Sequence, residues 1–304
     1  MFHRSTFHRS YCAAVAFALA AIAASQDTGI YLFNETPGTQ NFGKSFRWKL
    51  EPDGKFSGES TVDFGSMSIL WNSVYCAGVG DFDGDGWSDV LWHDVENPSG
   101  TSNLMITYFH SGSVQRVLHA TTALPEGFRV KGVSDFDGDG TPDLLVQRPS
   151  AELEVWKMGG TDGQQVSAVI ALGSPMIGGT DRLSGFADVN GDGMADVILH
   201  RTQKDLVFWQ STGTGVVNSG NQNARIPLLT LHDKSRLQGY GRVHVIGTAN
   251  VGWHGRTVVL REHKDGGFYS VWLLHWDGVG DYPAANQVHL RNASFKKPYG
   301  VGRF

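Results

Sequence analysis

The chain has 304 residues, 40% hydrophobic and 18% charged, with 39 glycines and a formal charge of −5. That length allows one large domain or two small ones, and a glycine share roughly double the usual ~7% suits an all-β protein with many turns better than a helical one. No basic stripe stands out, which argues against nucleic acid as a partner, and no apolar run of period 3.6 marks a long helix.

Residues 1–25 read as a secretory signal. Arg4 and Arg9 form a basic start, residues 13–24 are an uncharged apolar run, and Ala21-Ile22-Ala23 or Ala23-Ala24-Ser25 supplies a small-residue cleavage site. A membrane anchor is the competing reading, but the run is shorter than the ~20 residues a span needs. The expectation is a secreted or extracellular protein, periplasmic or held at the cell surface if bacterial, with no integral membrane segment. Loss of the two arginines takes the charge from −5 to −7, and loss of Cys12 leaves Cys76 as the one remaining cysteine. Disulfides then cannot hold the fold, and Cys76 is expected to be a buried thiol on a strand. Asn34-Glu35-Thr36 and Asn292-Ala293-Ser294 are glycosylation sequons.

Beyond residue 26 the chain repeats. GVGDFDGDGWSDVLW at 78–92 returns as GVSDFDGDGTPDLLV at 132–146 and as GFADVNGDGMADVIL at 185–199, so the first aspartates are Asp81, Asp135 and Asp188. A weaker copy, GTANVGWHGRTVVL at 247–260, has lost the acidic positions, and the chain ends on GVGRF at 300–304. An aromatic-bearing run before a glycine turn accompanies each unit, with Trp48, Tyr108, Trp156, Trp209 and Trp272 as matching aromatics. A period of this size points to a propeller or a repeat array. The units fall at about 26–80, 81–134, 135–187, 188–249 and 250–304, each read as four short strands. GIYLF at 29–33 resembles a second strand of a unit and the last residues resemble a first strand. The expectation is therefore an all-β single β-propeller of five four-stranded blades, closed by pairing of the C-terminal strand into the first blade. Closure would remove the exposed edges that invite aggregation. The alternative is a fragment of a longer array.

The three acidic loops carry the chemistry. An EF-hand needs a bidentate Glu at position 12 and flanking helices, whereas position 12 here is Trp92, Val146 or Leu199 within an apolar strand. Position 9 supplies the missing anion instead. In the first loop, oxygen ligands come from Asp81, Asp83, Asp85 and Asp89, with a backbone carbonyl from Trp87. The second offers Asp135, Asp137, Asp139 and Asp143 with Thr141. The third offers Asp188, Asn190, Asp192 and Asp196 with Met194. Such an oxygen-rich set favours Ca²⁺ over Mg²⁺, which keeps its waters and wants a strict octahedron, and the absence of Cys or His disfavours zinc. A solvated acidic turn competes with this reading, but unneutralised carboxylates so close together repel and raise one another's pKa. Three Ca²⁺ ions would take the mature charge from −7 to about −1.

The motif D-x-[DN]-x-D-G-x-x-D followed by an apolar strand, at 81–92, 135–146 and 188–199, resembles the FG-GAP and VCBS-type repeats of integrin α-subunit propellers and of many secreted microbial proteins. The resemblance implies that each loop joins the first two strands of a blade and binds Ca²⁺, giving three sites. The unit at 250–258 and the loop split between the termini depart from the pattern and are expected to be empty. The resemblance supports fold and calcium rather than integrin function.

No G-x-S-x-G, H-E-x-x-H or P-loop motif appears. The reading is a secreted calcium-binding propeller that acts as a non-catalytic binding or adhesion module for a glycan or an extracellular protein. A glycoside hydrolase or polysaccharide lyase on the same scaffold is the alternative, and a structural surface protein a third. The recurring aromatics read as packing between blades, with Trp87 and Trp276 the better candidates for exposure.

Overall fold

The apolar strand after each acidic loop is short, β-branched and apolar on both sides, a composition that needs cover on both faces of its sheet. The structure, a computed structural model, describes residues 28–34, 45–50, 56–62, 74–94, 103–173, 181–188, 191–201, 205–218, 225–227, 243–250, 256–264, 268–275, 284–289 and 296–303. The signal segment 1–25, Asn190, Trp276 and the sequon at Asn292 lie outside the described residues. Among those residues every regular element is a strand, and no helix is long and apolar enough to cross a membrane.

The first sheet holds β1 (Thr28–Asn34), β2 (Ser45–Leu50) and β3 (Phe56–Val62). The second runs β4 (Val74–Gly80), β5 (Asp89–Asp94), β6 (Leu104–His110) and β7 (Ser113–His119). The third runs β8 (Arg129–Ser134), β9 (Asp143–Gln147), β10 (Leu153–Gly159) and β11 (Gln165–Gly173). The fourth holds β12 (Asp181–Ala187), β13 (Asp196–Arg201) and β14 (Asp205–Ser211), and then β15 (Val216–Asn218) and β16 (Arg225–Pro227). The fifth runs β17 (Val243–Asn250), β18 (Arg256–Lys264), β19 (Phe268–His275) and β20 (Ala284–His289), and β21 (Lys296–Arg303) follows. All pairings are antiparallel, and β21 joins the first sheet beside β1, with Thr28 opposite Arg303 and Ile30 opposite Val301. The first strands touch in sequence: β4 with β8, β8 with β12, β12 with β17, β17 with β21 and β21 with β4. Sheets set radially with their first strands inward are the arrangement of a β-propeller.

One difference from the four-strand expectation lies in the fourth sheet. Its outer strand is split: β15 pairs with Trp209–Ser211 and β16 with Asp205–Val207 of the same β14. Residues 219–224 between them lie outside the described residues.

Both faces of each central sheet are buried against neighbours. Val90 and Trp92 of β5 join Tyr31 of β1 in one core, while Leu91 faces Leu144, Val146 and Trp156 of the third sheet. Leu145 in turn joins Phe186, Val197 and Trp209 of the fourth. Period-2 alternation thus sends successive residues to successive inter-sheet cores. Full burial of each such side chain is worth about 1.5–3 kcal/mol. Tyr108, Trp156 and Trp209 are buried within these cores, as the packing reading of the aromatic series expects. The Tyr108 hydroxyl also donates to the Asp162 carbonyl at 2.6 Å, across to the next sheet. Cys76 is buried on β4 with a free thiol. His93, which the repeat pattern places toward a surface, is also buried. The Tyr75 hydroxyl lies 2.7 Å from its Nδ1, and burial with the nearby Arg129 charge lowers its pKa to about 4.

The inner strands approach so closely that side chains are excluded. A Cβ on Gly132 would stand 2.6 Å from Cβ of Phe186, and one on Gly78 would stand 2.5 Å from Cγ2 of Val133. Gly132→Ala is therefore expected to cost about 1–3 kcal/mol through forced displacement of the next sheet. Gly58→Ala, with nothing within 4 Å of the added carbon, is expected to leave the melting temperature within about a degree of the parent, since surface changes are usually worth under ~0.5 kcal/mol. Thermal melting of the two variants side by side checks this.

Candidate metal centres

Each acidic loop leaves the end of an inner strand and turns sharply into the second strand of its sheet. The position-6 glycines make the turn, with φ of 86° at Gly86, 90° at Gly140 and 91° at Gly193, a backbone region open to Gly at little cost. The position-1 aspartates organise it. Asp135 accepts the N–H groups of Gly138 and Gly140, both at 2.8 Å. Asp188 accepts those of Gly191 and Gly193 at 2.7 and 3.0 Å. Asp81 accepts those of Asp85 and Gly86 at 3.1 and 2.8 Å. The position-5 aspartates each accept the N–H of position 7: Asp85 from Trp87, Asp139 from Thr141, Asp192 from Met194, at 2.8, 2.8 and 2.9 Å.

Position 9 is of a different kind. Asp89, Asp143 and Asp196 are fully buried. Asp89 accepts from Phe82 N at 2.8 Å and from Phe109 N on β6 at 2.9 Å. Asp143 accepts from Phe136 N at 3.0 Å and Met158 N on β10 at 2.8 Å. Asp196 accepts from Ser211 N on β14 at 3.0 Å. This carboxylate therefore ties the third strand of its sheet to the loop or to the second strand. Burial raises the pKa of Asp89 and Asp143 to about 7 despite those donors, and the neighbouring loop carboxylates add to the rise.

Two groups of carboxylates have the compactness a cation needs. Asp81, Asp83 and Asp89 bring one oxygen each within 4.8 Å of one another, and so do Asp135, Asp137 and Asp143. Positions 1, 3 and 9 converge; the position-5 residues Asp85 and Asp139 stand outside these groups. In the second group the Oδ1 of Asp137 is buried and has no hydrogen-bond partner. A buried anionic oxygen without a donor is costly unless a cation meets it, so this donor set fits a hard, oxygen-preferring ion. In the third loop Asp188, Asp192 and Asp196 repeat the framework, and Asn190 lies outside the described residues.

Cationic and aromatic neighbours that the local repeat does not reveal complete the sites. Lys157 on β10 pairs with Oδ2 of Asp137, and that hydrogen bond raises the lysine pKa. Arg116 on β7 reaches Asp83 at 3.1 Å and Asp162 of the next sheet at 2.5 Å, with its guanidinium 4.4 Å from the Tyr108 ring centre. His110 lies 2.7 Å from Asp85, and its ring packs 5.7 Å from that of Trp87, which is half-buried rather than free. Successive loops are also joined: Ala195 N donates to Asp135 O at 2.6 Å, and the Ser211 hydroxyl donates to Phe136 O at 2.7 Å.

Residues 135–199 match the family of FG-GAP-like repeats. Residues 135–199 of this β-propeller chain thus carry FG-GAP-like repeats. The matched stretch begins at the first aspartate of the second loop, contains the whole of the third, and ends within β13. No curated protein matches the chain. Among solved structures it is similar to AofleA from Arthrobotrys oligospora, at 9% identity and a TM-score of 0.39, over 90% of this chain and 73% of that one. It is also similar to the Dos1 propeller, at 10% identity and a TM-score of 0.32, over 75% of this chain and only 50% of that one. At such scores nothing about ligand or activity passes from those proteins to this chain.

The raised carboxyls set a pH dependence. Unfolded, Asp89 and Asp143 titrate near 3.8 and folded near 7, so between those values the folded chain holds more protons than the unfolded one. Their contribution to stability falls as pH rises through that window. In chelator the melting temperature is expected to drop by a few degrees from about pH 5.5 to pH 8. Saturating calcium, which takes the deprotonated carboxylates, is expected to shrink that drop. Differential scanning fluorimetry across pH, with and without calcium, reads both.

Proposed function

We propose that this protein is a secreted, calcium-binding propeller of five blades, closed into a ring by β21, that serves as a non-catalytic binding or adhesion module for a glycan or an extracellular protein. The observation that carries the calcium reading is the pair of convergent carboxylate groups, Asp81–Asp83–Asp89 and Asp135–Asp137–Asp143, the second of which includes Asp137 with its buried Oδ1 lacking a hydrogen-bond partner. The five sheets, the β1–β21 register and the cyclic contacts of the inner strands support five blades and closure. The apolar, Arg-led stretch at 1–25 supports secretion.

Asp81, Asp83 and Asp89 would hold one ion, Asp135, Asp137 and Asp143 a second, and Asp188, Asn190, Asp192 and Asp196 a third. The carbonyls of Trp87, Thr141 and Met194 would add one ligand to each. The ion supplies the countercharge that lets buried carboxylates stay ionised. Because it binds the folded chain, each site at ~100-fold excess of calcium over its Kd adds roughly 2.7 kcal/mol.

Titration calorimetry of the mature protein is expected to show three calcium sites, and Asp137→Asn is expected to show two. A protein that is folded by circular dichroism and takes up no calcium would overturn the reading. A glycan array run in millimolar calcium and in chelator tests the binding role. Selective capture lost with chelator places ligand binding under calcium control, and capture that survives chelation assigns calcium to stability alone.

A further inference from the structure

Every inner strand carries the same irregularity. The pairing slips by one residue between Cys76 and Gly78 on β4, Val130 and Gly132 on β8, Leu183 and Gly185 on β12, and Val245 and Gly247 on β17. On β21 it slips between Pro298 and Gly300. One residue is extruded in each case, and a bulge of this kind redirects the strand. Because the slip recurs at one level, the third residue before the glycine is equivalent in all five strands. These residues are Tyr75, Arg129, Arg182, His244 and Lys297, which pair with His93, Gln147, His200, Arg261 and Phe33 on the neighbouring second or first strands.

This level lies toward the starts of the inner strands, whereas the acidic loops follow the ends of β4, β8 and β12. Charge is sorted accordingly. The five inner strands hold Arg129, Lys131, Arg182, Lys296, Lys297 and Arg303, against a single acid, Asp181. That bias stands out on a chain of net charge −5. All but Arg303 lie at or before the bulge. Arg129 and Lys131 are exposed, and neither forms an ion pair with a described carboxylate; Arg129 donates instead to the Phe128 carbonyl at 2.8 Å. Cations drawn together at the mouth of a ring, with low-dielectric walls around them, focus a positive potential on the axis.

We infer that the end of the inner-strand ring opposite the acidic loops is an anion-binding site, which takes a small polyanion bearing sulfate or phosphate groups at the level of the strands where Arg129, Lys131, Arg182 and Lys297 fall. The inference rests on the closed five-strand ring proposed above, because only closure brings Lys297 to the level of Arg129. It gives the binding module a ligand chemistry and a face separate from the calcium loops.

Calorimetry with sucrose octasulfate and with fructose 1,6-bisphosphate, against neutral sucrose, tests it in calcium-saturated protein. Saturable binding of at least one anion, none of sucrose, and a steep weakening between about 50 and 300 mM salt are expected; which anion binds tells sulfate from phosphate recognition. The Arg129→Ala/Lys131→Ala double variant and Lys297→Ala are each expected to weaken binding about tenfold or more, with Arg129→Lys retaining most of it and all melting temperatures near the parent's. Binding unchanged in both alanine variants overturns the site and leaves the ring standing. Loss in the double variant with Lys297→Ala unchanged overturns the shared site and counts against closure. No binding of either anion by folded protein overturns the inference outright, while calcium titration of the same sample reports separately on the loops.

Discussion

The structure depends on a buried carboxylate. Asp89, Asp143 and Asp196 sit where the acidic loop enters the second strand, and each spends oxygen lone pairs on main-chain N–H groups of the third strand. A buried anion held only by neutral donors is poorly compensated. Burial accordingly outweighs the hydrogen bonds at Asp89 and Asp143. The remaining loop carboxylates increase the deficit, so the same residue that locks the sheet also creates the demand for a cation. Strand pairing and local charge are thus one constraint rather than two, and a loop that lost position 9 would lose its attachment to the third strand as well as a buried carboxylate.

From that anchor the order spreads sideways. Phe82 and Phe136, whose N–H groups the anchors accept, bury their rings in the cores facing the following sheet. Phe136 stacks 6.2 Å from Phe186 on the next inner strand. Arg116 and Tyr108 reach Asp162 from the second sheet to the third, and Ala195 N donates back to Asp135 O from the fourth. The acidic loops therefore form a connected belt along one end of the sheets. An ion stabilising one loop would stiffen neighbours through these bonds, in keeping with packed interiors that transmit strain.

Much of this was legible in the sequence because its cause is local. A turn of fixed length needs glycine at position 6, and the oxygen-bearing side chains at positions 1, 3 and 9 recur at one spacing, so the loops at 81, 135 and 188 announce themselves. Apolar strands and the buried aromatics Tyr108, Trp156 and Trp209 follow from the repeat period. What stayed hidden is non-local. Nothing near Asp89 indicates that Phe109 will bond to it, and nothing near Asp137 indicates Lys157. His93 follows the repeat toward a surface, yet Tyr75 and the next sheet cover it. The division of the outer strand of the fourth sheet, and the level on which Arg129 and Lys297 fall, emerge only when strands far apart in the chain are set in register.

The pairing of β1 with β21 joins residue 28 to residue 303, nearly the two extremes of the sequence. During synthesis β1 keeps an open edge until β21 has been made. The middle sheets, built from contiguous hairpins, can form beforehand. Contacts of such long sequence separation are slow to make, and an exposed strand edge is the hazard meanwhile. The acidic loops of the middle sheets lie in the part of the chain that can order early, so their bonds between neighbouring sheets can be in place before β21 arrives.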